Sequence, residues 1–250
     1  MNVSIALIGG SGLTRLEALS IERQRVVVTP YGAPSAPLTY GHIGDMPIVF
    51  LPRHGQGHII PPHEVNYRAN IWALHSVGIE QIIAVASVGA ISCQPGSLCV
   101  PDQIIAYTWG REHTFVEYGR TPVNHVDFTE PYDQNMRERL LAAGKAAGLL
   151  VGDGGTYGAT EGPRLETAAE IRRMEQDGCD IVGMTGMPEA ALAREKGLHY
   201  AHLCLAVNWA AGKTPGPVTM EEINTHLNTG MQEIQKLLHQ LGNQGKKSMA

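Results

Sequence analysis

The chain has 250 residues, 43% of them hydrophobic and 17% charged, and a formal net charge of −5. That composition belongs to an ordinary globular protein with a sizeable core, and it excludes an intrinsically disordered chain. A weakly acidic chain without a basic block also argues against binding nucleic acid or an anionic membrane, so any anion must be held by a local site.

The opening "MNVSIALIGGSG" lacks a basic start and reaches glycine too early for a signal peptide, and no later apolar run approaches a membrane span. The cytoplasm is the expected compartment. "VSIALIG" is a continuous apolar run stopped by glycines and predicts a buried strand, and "PIVFLP" (47–52) predicts a second. "NYRANIWALHSVG" has helical spacing and closes on Gly78. "QIIAVASVGAI" predicts a third buried strand, "SLCVPDQIIAYT" one or two more, and Asp133 to Leu149 a helix.

Thr167 and Glu170 have capping-box spacing, which predicts a helix from Thr167 to near Gly178. "DIVGMT" is a short strand, "PEAALAREKG" a helix with Pro188 in its first turn, and "HYAHLCLAV" another strand. From Thr219 to Leu241 the stripe Met220, Ile223, Leu227, Met231, Ile234 and Leu238 predicts an amphipathic helix, with a frayed tail over about 242–250. Cys93, Cys99, Cys179 and Cys204 form no C-x-x-C pair, so no zinc knuckle or dithiol redox motif is expected. No repeat, linker or composition shift divides the chain. The expectation is therefore a single α/β domain over 1–250, a mixed sheet with helices on both faces.

In such folds ligand sites gather where strands end. "IGGSGL" (8–13) follows the first strand but puts Arg15 where a dinucleotide fingerprint needs its third glycine. A loop presenting backbone N–H groups and the Ser11 hydroxyl to a small anion fits better, with a plain tight turn as the alternative. Arg53 and His54 follow an apolar strand, and a guanidinium beside an imidazole suits phosphate oxygens. A metal held by His54, His58 and His63, or a structural turn, stays open for that segment. "AVASVGAI" (84–91) ends a strand in small residues, which serves either close ligand approach or tight packing. Glu166 stands at a helix start, where it either meets a ligand or caps the helix. Thr185 follows a strand and is either an anion ligand or a cap. Asn208 and Trp209 end the last strand in an unusual way. Together these strand-end groups form a phosphate-like set (Ser11, Arg53, His54, Thr185) beside an amide and carboxylate pair (Asn208, Glu166).

The stretches "IGGSGL", "RHGQGH", "VNYRANIWAL", "EGPRLETAAE", "VGMTGMPEAALARE" and "AVNW", running in order from about Ile5 to Met231, resemble the nucleoside phosphorylase family that includes methylthioadenosine phosphorylase and the trimeric purine nucleoside phosphorylases. The resemblance implies a partly closed mixed sheet, a homotrimer, and phosphorolysis, in which phosphate attacks the ribose anomeric carbon and the purine leaves. It carries phosphate contacts onto Ser11, Arg53, His54, Thr185, Ala86 and Ser87, and a ribose contact onto Met184. Nucleoside contacts fall on Leu165, Glu166, Asn208, Trp209 and Ala210. It implies no metal and no organic cofactor, with inorganic phosphate as co-substrate.

The departures are informative. Methylthioadenosine phosphorylases carry Asp at the positions of Asn208 and Ala210 and Ser at that of Glu166, whereas phosphorylases of inosine and guanosine use a Glu–Asn pair. A 6-oxopurine offers N1–H as donor and O6 and N7 as acceptors, which a carboxylate and an amide complement. Glu166 and Asn208 are thus the expected catalytic pair. Around the 5′ group the matching positions are His58, His125, Met220 and Ile223, and the two apolar ones suit a thioether. The expected substrate is S-methyl-5′-thioinosine. Inosine and guanosine come second, with methylthioadenosine or a non-catalytic nucleoside-binding role behind them.

Overall fold

A computed structural model describes residues 5–10, 13 and 19–244. Ser11 and the tail from 245 onward lie outside the described residues. The strands are β1 (Ile5–Gly9), β2 (Ser20–Arg25), β3 (Leu38–Ile43), β4 (Met46–Pro52), β5 (Gln81–Ala90), β6 (Leu98–Val100), β7 (Gln103–Ala106), β8 (Val151–Asp153), β9 (Thr156–Ala159), β10 (Ile181–Gly183) and β11 (His199–Trp209). The helices are α1 (Tyr67–Ser76), α2 (Gln134–Ala146), α3 (Ala168–Gln176), α4 (Gly186–Glu195) and α5 (Met220–Gln244), with a 3-10 turn at Pro62–Glu64.

Among the described residues eleven strands join one mixed sheet that forks at β5. The first half of β5 pairs in parallel with β1, while its end pairs antiparallel with β10. On its other side β5 runs parallel to β11 from Gln81↔His199 to Ala90↔Trp209. Alternation along the central strands feeds two cores. Leu7, Val85, Leu203 and Leu205 point to α2 and α5, where Leu140, Ile234 and Leu238 are buried. Ala6, Ile8, Val49 and Ile82 point the other way, to Ile71 and Leu74 of α1 and Leu192 of α4. This is the expected α/β architecture, with helices on both faces of a mixed sheet.

The helix signals hold locally. Asn66 caps α1 by accepting from the Ala69 N–H, Asp133 caps α2 by accepting from the Met136 N–H, and Thr167 and Glu170 close a reciprocal capping box on α3. Two expectations need correction. The last helix continues to Gln244 rather than fraying from 242, because Gly242 packs against the Ile43 carbonyl so closely that a Cβ there would collide. Met220, placed on the apolar stripe of that helix, is 66% exposed, and burial begins farther along at Met231.

Candidate active site

The ends of β1, β4, β5, β10 and β11 converge on a cavity of about 600 Å³. Gly10 follows β1, Arg53 and His54 follow β4, and Ala86, Ser87, Val88 and Gly89 come from β5. Met184 and Thr185 follow β10, and Asn208 lies next to the end of β11. Glu166 joins them from the loop before α3.

Arg53 anchors one end and is fully buried. Its Nε and Nη2 donate to the two carboxylate oxygens of Glu189, at 2.7 and 2.8 Å, and Nη1 donates to the Val85 carbonyl at 3.0 Å. Burial alone would weaken the guanidinium's hold on its proton, but the Glu189 carboxylate outweighs it and holds the pKa above the ordinary range. Tyr200 Oη donates a third hydrogen bond to Glu189 at 2.8 Å, so the buried carboxylate is well satisfied. Gly10 leaves little room for a side chain, since a Cβ would stand 3.0 Å from Arg53 Nη1 and 3.0 Å from the Val85 carbonyl.

His54 is held at 2.8 Å from the Ile60 carbonyl through Nδ1. Burial, and then the charge of Arg53, push its pKa down to about 4, so the ring is neutral at physiological pH. A neutral ring whose Nδ1–H donates to a carbonyl keeps Nε2 as an acceptor. Thr185 stands at the start of α4 but makes no side-chain cap bond. Its Oγ1 is buried without a hydrogen-bond partner among the described residues. A hydroxyl so placed has capacity for a ligand oxygen.

Glu166, in the same cavity wall, accepts from Thr160 Oγ1 at 2.6 Å. β11 carries a bulge next to the cavity. Ala206 pairs with Val88 and Asn208 with Gly89, so Val207 is the extra residue. A bulge breaks the alternation of faces, and Val207, Asn208 and Ala210 all line the cavity. The amide of Asn208 is set by its own neighbour, because Nδ2 donates to the Trp209 carbonyl at 2.7 Å. One amide N–H and Oδ1 have no partner among the described residues, so Asn208 can present a donor and an acceptor together. Trp209, assigned a nucleoside contact by the resemblance, packs against a cluster with Cys204 and Ala206 and is not part of the cavity wall.

His58, Leu165 and Ile223 line the same cavity. His125 and Met220 are exposed and are not part of its wall in the single chain. Among the described residues no group of three or more His, Cys, Asp or Glu side chains is arranged to hold a metal ion, and no helix is long and apolar enough to cross a membrane.

Sequence reasoning missed three polar residues that shape this site: Glu189, Thr160 and Arg111. Arg111 is buried and clamps the segment after β9 to the segment that joins β10 to α4. Its Nη1 donates to the Met184 and Met187 carbonyls at 2.8 and 2.7 Å, and Nη2 to the Glu161 carbonyl at 2.6 Å. Its side chain also pairs with the Glu161 carboxylate at 3.2 Å. The available signal was weak. Arg111 sits in a loop without periodicity, and Glu189 reads as an ordinary first-turn carboxylate of a helix.

Comparison with known proteins adds four likenesses. Residues 4–241 match the Phosphorylase superfamily. The chain is 52% identical to a probable S-methyl-5′-thioinosine phosphorylase of Pseudomonas syringae pv. tomato, over 93% of this chain and 96% of the relative. It is 45% identical to the 6-oxopurine nucleoside phosphorylase of Pyrococcus furiosus, over 94% and 90%. Among solved structures, methylthioadenosine phosphorylase from Schistosoma mansoni in complex with adenine superposes with a TM-score of 0.90 at 32% identity, covering 98% of this chain and 92% of that one.

Proposed function

The chain belongs to the phosphorylase superfamily, and from that premise we propose that it cleaves S-methyl-5′-thioinosine with inorganic phosphate, giving hypoxanthine and 5-methylthioribose 1-phosphate. One observation carries the reading. Glu166 and Asn208 line the same cavity as Arg53, His54 and Thr185, so a carboxylate–amide pair and a guanidinium–imidazole–hydroxyl set share one space. The resemblance assigns Ser11, Ala86 and Ser87 to the same phosphate.

In this reading phosphate lies at the Arg53 end, with His54 Nε2 accepting from the hydroxyl of hydrogen phosphate and Thr185 Oγ1 donating to another oxygen. A phosphate oxygen forms the bond to C1′. The C1′–N9 bond breaks and its electron pair passes to the purine. Hydrogen phosphate gives up one proton and the purine takes up one, so the exchange balances without an added acid or base. The transition state is cationic at the sugar, where the phosphate lies, and anionic at the base. Glu166 accepts N1–H, Asn208 donates to O6, and Oδ1 of the same amide accepts from N7 as that nitrogen gains its proton. Bonds that strengthen as the base acquires charge lower the barrier, and holding phosphate beneath the sugar removes the entropy cost of encounter.

The 5′ preference rests on Ile223 and Val218 in the cavity wall, which offer a thioether apolar contact. A second reading, general inosine and guanosine phosphorolysis, is favoured by His58 at the same wall and by the name of the Pyrococcus relative. We assign the assembly as a homotrimer. Exposed Val26, Val28, Trp109 and Val123 supply apolar surface for subunit contacts.

The deciding experiment is phosphate-dependent base release from S-methyl-5′-thioinosine, methylthioadenosine, inosine and guanosine. Methylthioinosine is expected to give the highest kcat/KM. Faster cleavage of methylthioadenosine would refute the base assignment, and inosine cleaved as well as methylthioinosine would select the second reading.

A further inference from the structure

Glu166 is the wall between two cavities. The first is the one described above. The second, of about 500 Å³, lies beyond the base end and is lined by Tyr107, Trp109 and Thr160 as well as Glu166. Thr160 borders only this second space, yet it reaches Glu166. It follows β9 and is held from three directions. Its N–H donates to the Gly183 carbonyl at 2.8 Å, its own carbonyl accepts from Arg111 Nη2 at 3.3 Å, and its side chain is buried. From that fixed position its hydroxyl donates to Glu166 Oε1 at 2.6 Å. Oε2 has no hydrogen bond among the described residues.

We propose that Thr160 is a positioning residue that ties down one oxygen of Glu166, so that the pocket selects a purine edge with one N–H donor, the hypoxanthine type, over an edge with two, the guanine type. The proposal rests on the base-end reading given under Proposed function. A free carboxylate offers two equivalent oxygens to N1–H and a 2-amino N–H side by side. Here Oε1 is already engaged by a short charge-assisted bond directed toward the second cavity. Oε2 then serves N1–H fully, while a 2-amino group must share Oε1 or enter the pocket incompletely bonded. A buried donor without a full partner is costly, and that cost becomes discrimination.

Inosine and guanosine share one sugar, so the ratio of their kcat/KM values isolates the base. The wild-type protein is expected to favour inosine. Thr160→Val, which keeps the shape and removes the hydroxyl, is expected to lower kcat/KM on inosine about tenfold, as loss of a bond to a charged group does. It should cost guanosine far less, so the ratio collapses. Thr160→Ser should restore the wild-type ratio, and the KM for phosphate should stay constant in both variants. A general packing defect would lower both nucleosides together and leave the ratio alone. The proposal is overturned if wild type prefers guanosine, or if the ratio is unchanged in Thr160→Val. If Thr160→Val does not fold, Thr160→Ala carries the same measurement. Glu166→Gln separates the two layers. A loss on inosine upholds the base-end reading whatever Thr160 does, whereas no loss brings down that reading and the proposal with it.

Discussion

The Arg53 guanidinium and the Glu189 carboxylate face each other through two parallel hydrogen bonds of 2.7 and 2.8 Å, both side chains wholly excluded from solvent. With Nε and Nη2 bonded to Glu189 and Nη1 to the Val85 carbonyl, Arg53 keeps one N–H on Nη1, beside Gly10, and one on Nη2. The pair therefore sets the orientation of the group to which phosphate is assigned in the proposed function, and its own net charge is zero. Breaking such a pair leaves an uncompensated buried charge, which costs about 3–5 kcal/mol. Glu189→Gln is expected to lose roughly that much in urea unfolding with an unchanged m-value. Added phosphate should return part of the loss, because an anion at Arg53 then supplies the missing negative charge. A stability equal to wild type would show that the fork does not hold the site.

Two buried imidazoles make the fold sensitive to acid. Burial, and then Arg53, lower the pKa of His54 to about 4, and the same two causes hold His202 well below its ordinary value. An unfolded histidine titrates near 6.5, so between about 4 and 6.5 the unfolded chain binds more protons than the folded one. The stability contributed by these neutral rings is present above pH 6.5 and is lost as the pH falls through that window. The urea midpoint should decline from pH 7 to pH 5. His202 also carries two ring nitrogens without partners among the described residues, and its ring stacks on Tyr157 at 5.2 Å. His202→Phe should flatten the decline and match or exceed wild-type stability at pH 7, since it removes unsatisfied polar atoms and keeps the stack. A steeper pH dependence in that variant would contradict the assignment.

The base preference should be reversible at the bulge of β11. With Asn208 fixed by the Trp209 carbonyl, the amide faces the cavity as a mixed donor and acceptor. In Asn208→Asp, two acceptors would face each other at O6, and kcat/KM for a 6-oxopurine nucleoside should fall about 10²-fold. Combining it with Glu166→Ser and Ala210→Asp should raise activity on methylthioadenosine. Rates on both nucleosides, measured at saturating phosphate, test the exchange. An equal fall on both would mean that these residues do not discriminate the base.

Much of this cavity could be read from the chain because its lining groups sit at strand ends marked by punctuation, as in the Arg53–His54 step and the Met184–Thr185 step. The helices were legible from their periodicity and, for α3, from the Thr167–Glu170 capping box. What stayed hidden depends on distant partners. Glu189 meets Arg53 across 136 residues, and Arg111 meets Met184 across 73. The strand β2, "SIERQR", is exposed along its length and has no alternation to betray it, while β8 is only three residues long. The bulge at Val207 leaves no mark in composition, although it decides which way Asn208 faces.

Thr185 gives the sharpest separation between a ligand role and a structural one. It occupies the cap position of α4, where a threonine ordinarily bonds a backbone N–H, yet its Oγ1 makes no such bond and is buried without a partner among the described residues. A cap replaced by an apolar residue costs about 1 kcal/mol, whereas an orphaned buried hydroxyl costs nothing to remove. Thr185→Val should therefore leave the melting temperature without phosphate unchanged or slightly higher. Its KM for phosphate should rise about tenfold, the size of one lost bond to a charged group. Phosphate should also raise its melting temperature less than that of wild type, because ligand stabilisation scales with affinity. A lower melting temperature with an unaltered phosphate KM would instead make Thr185 a helix cap and move the anion away from β10.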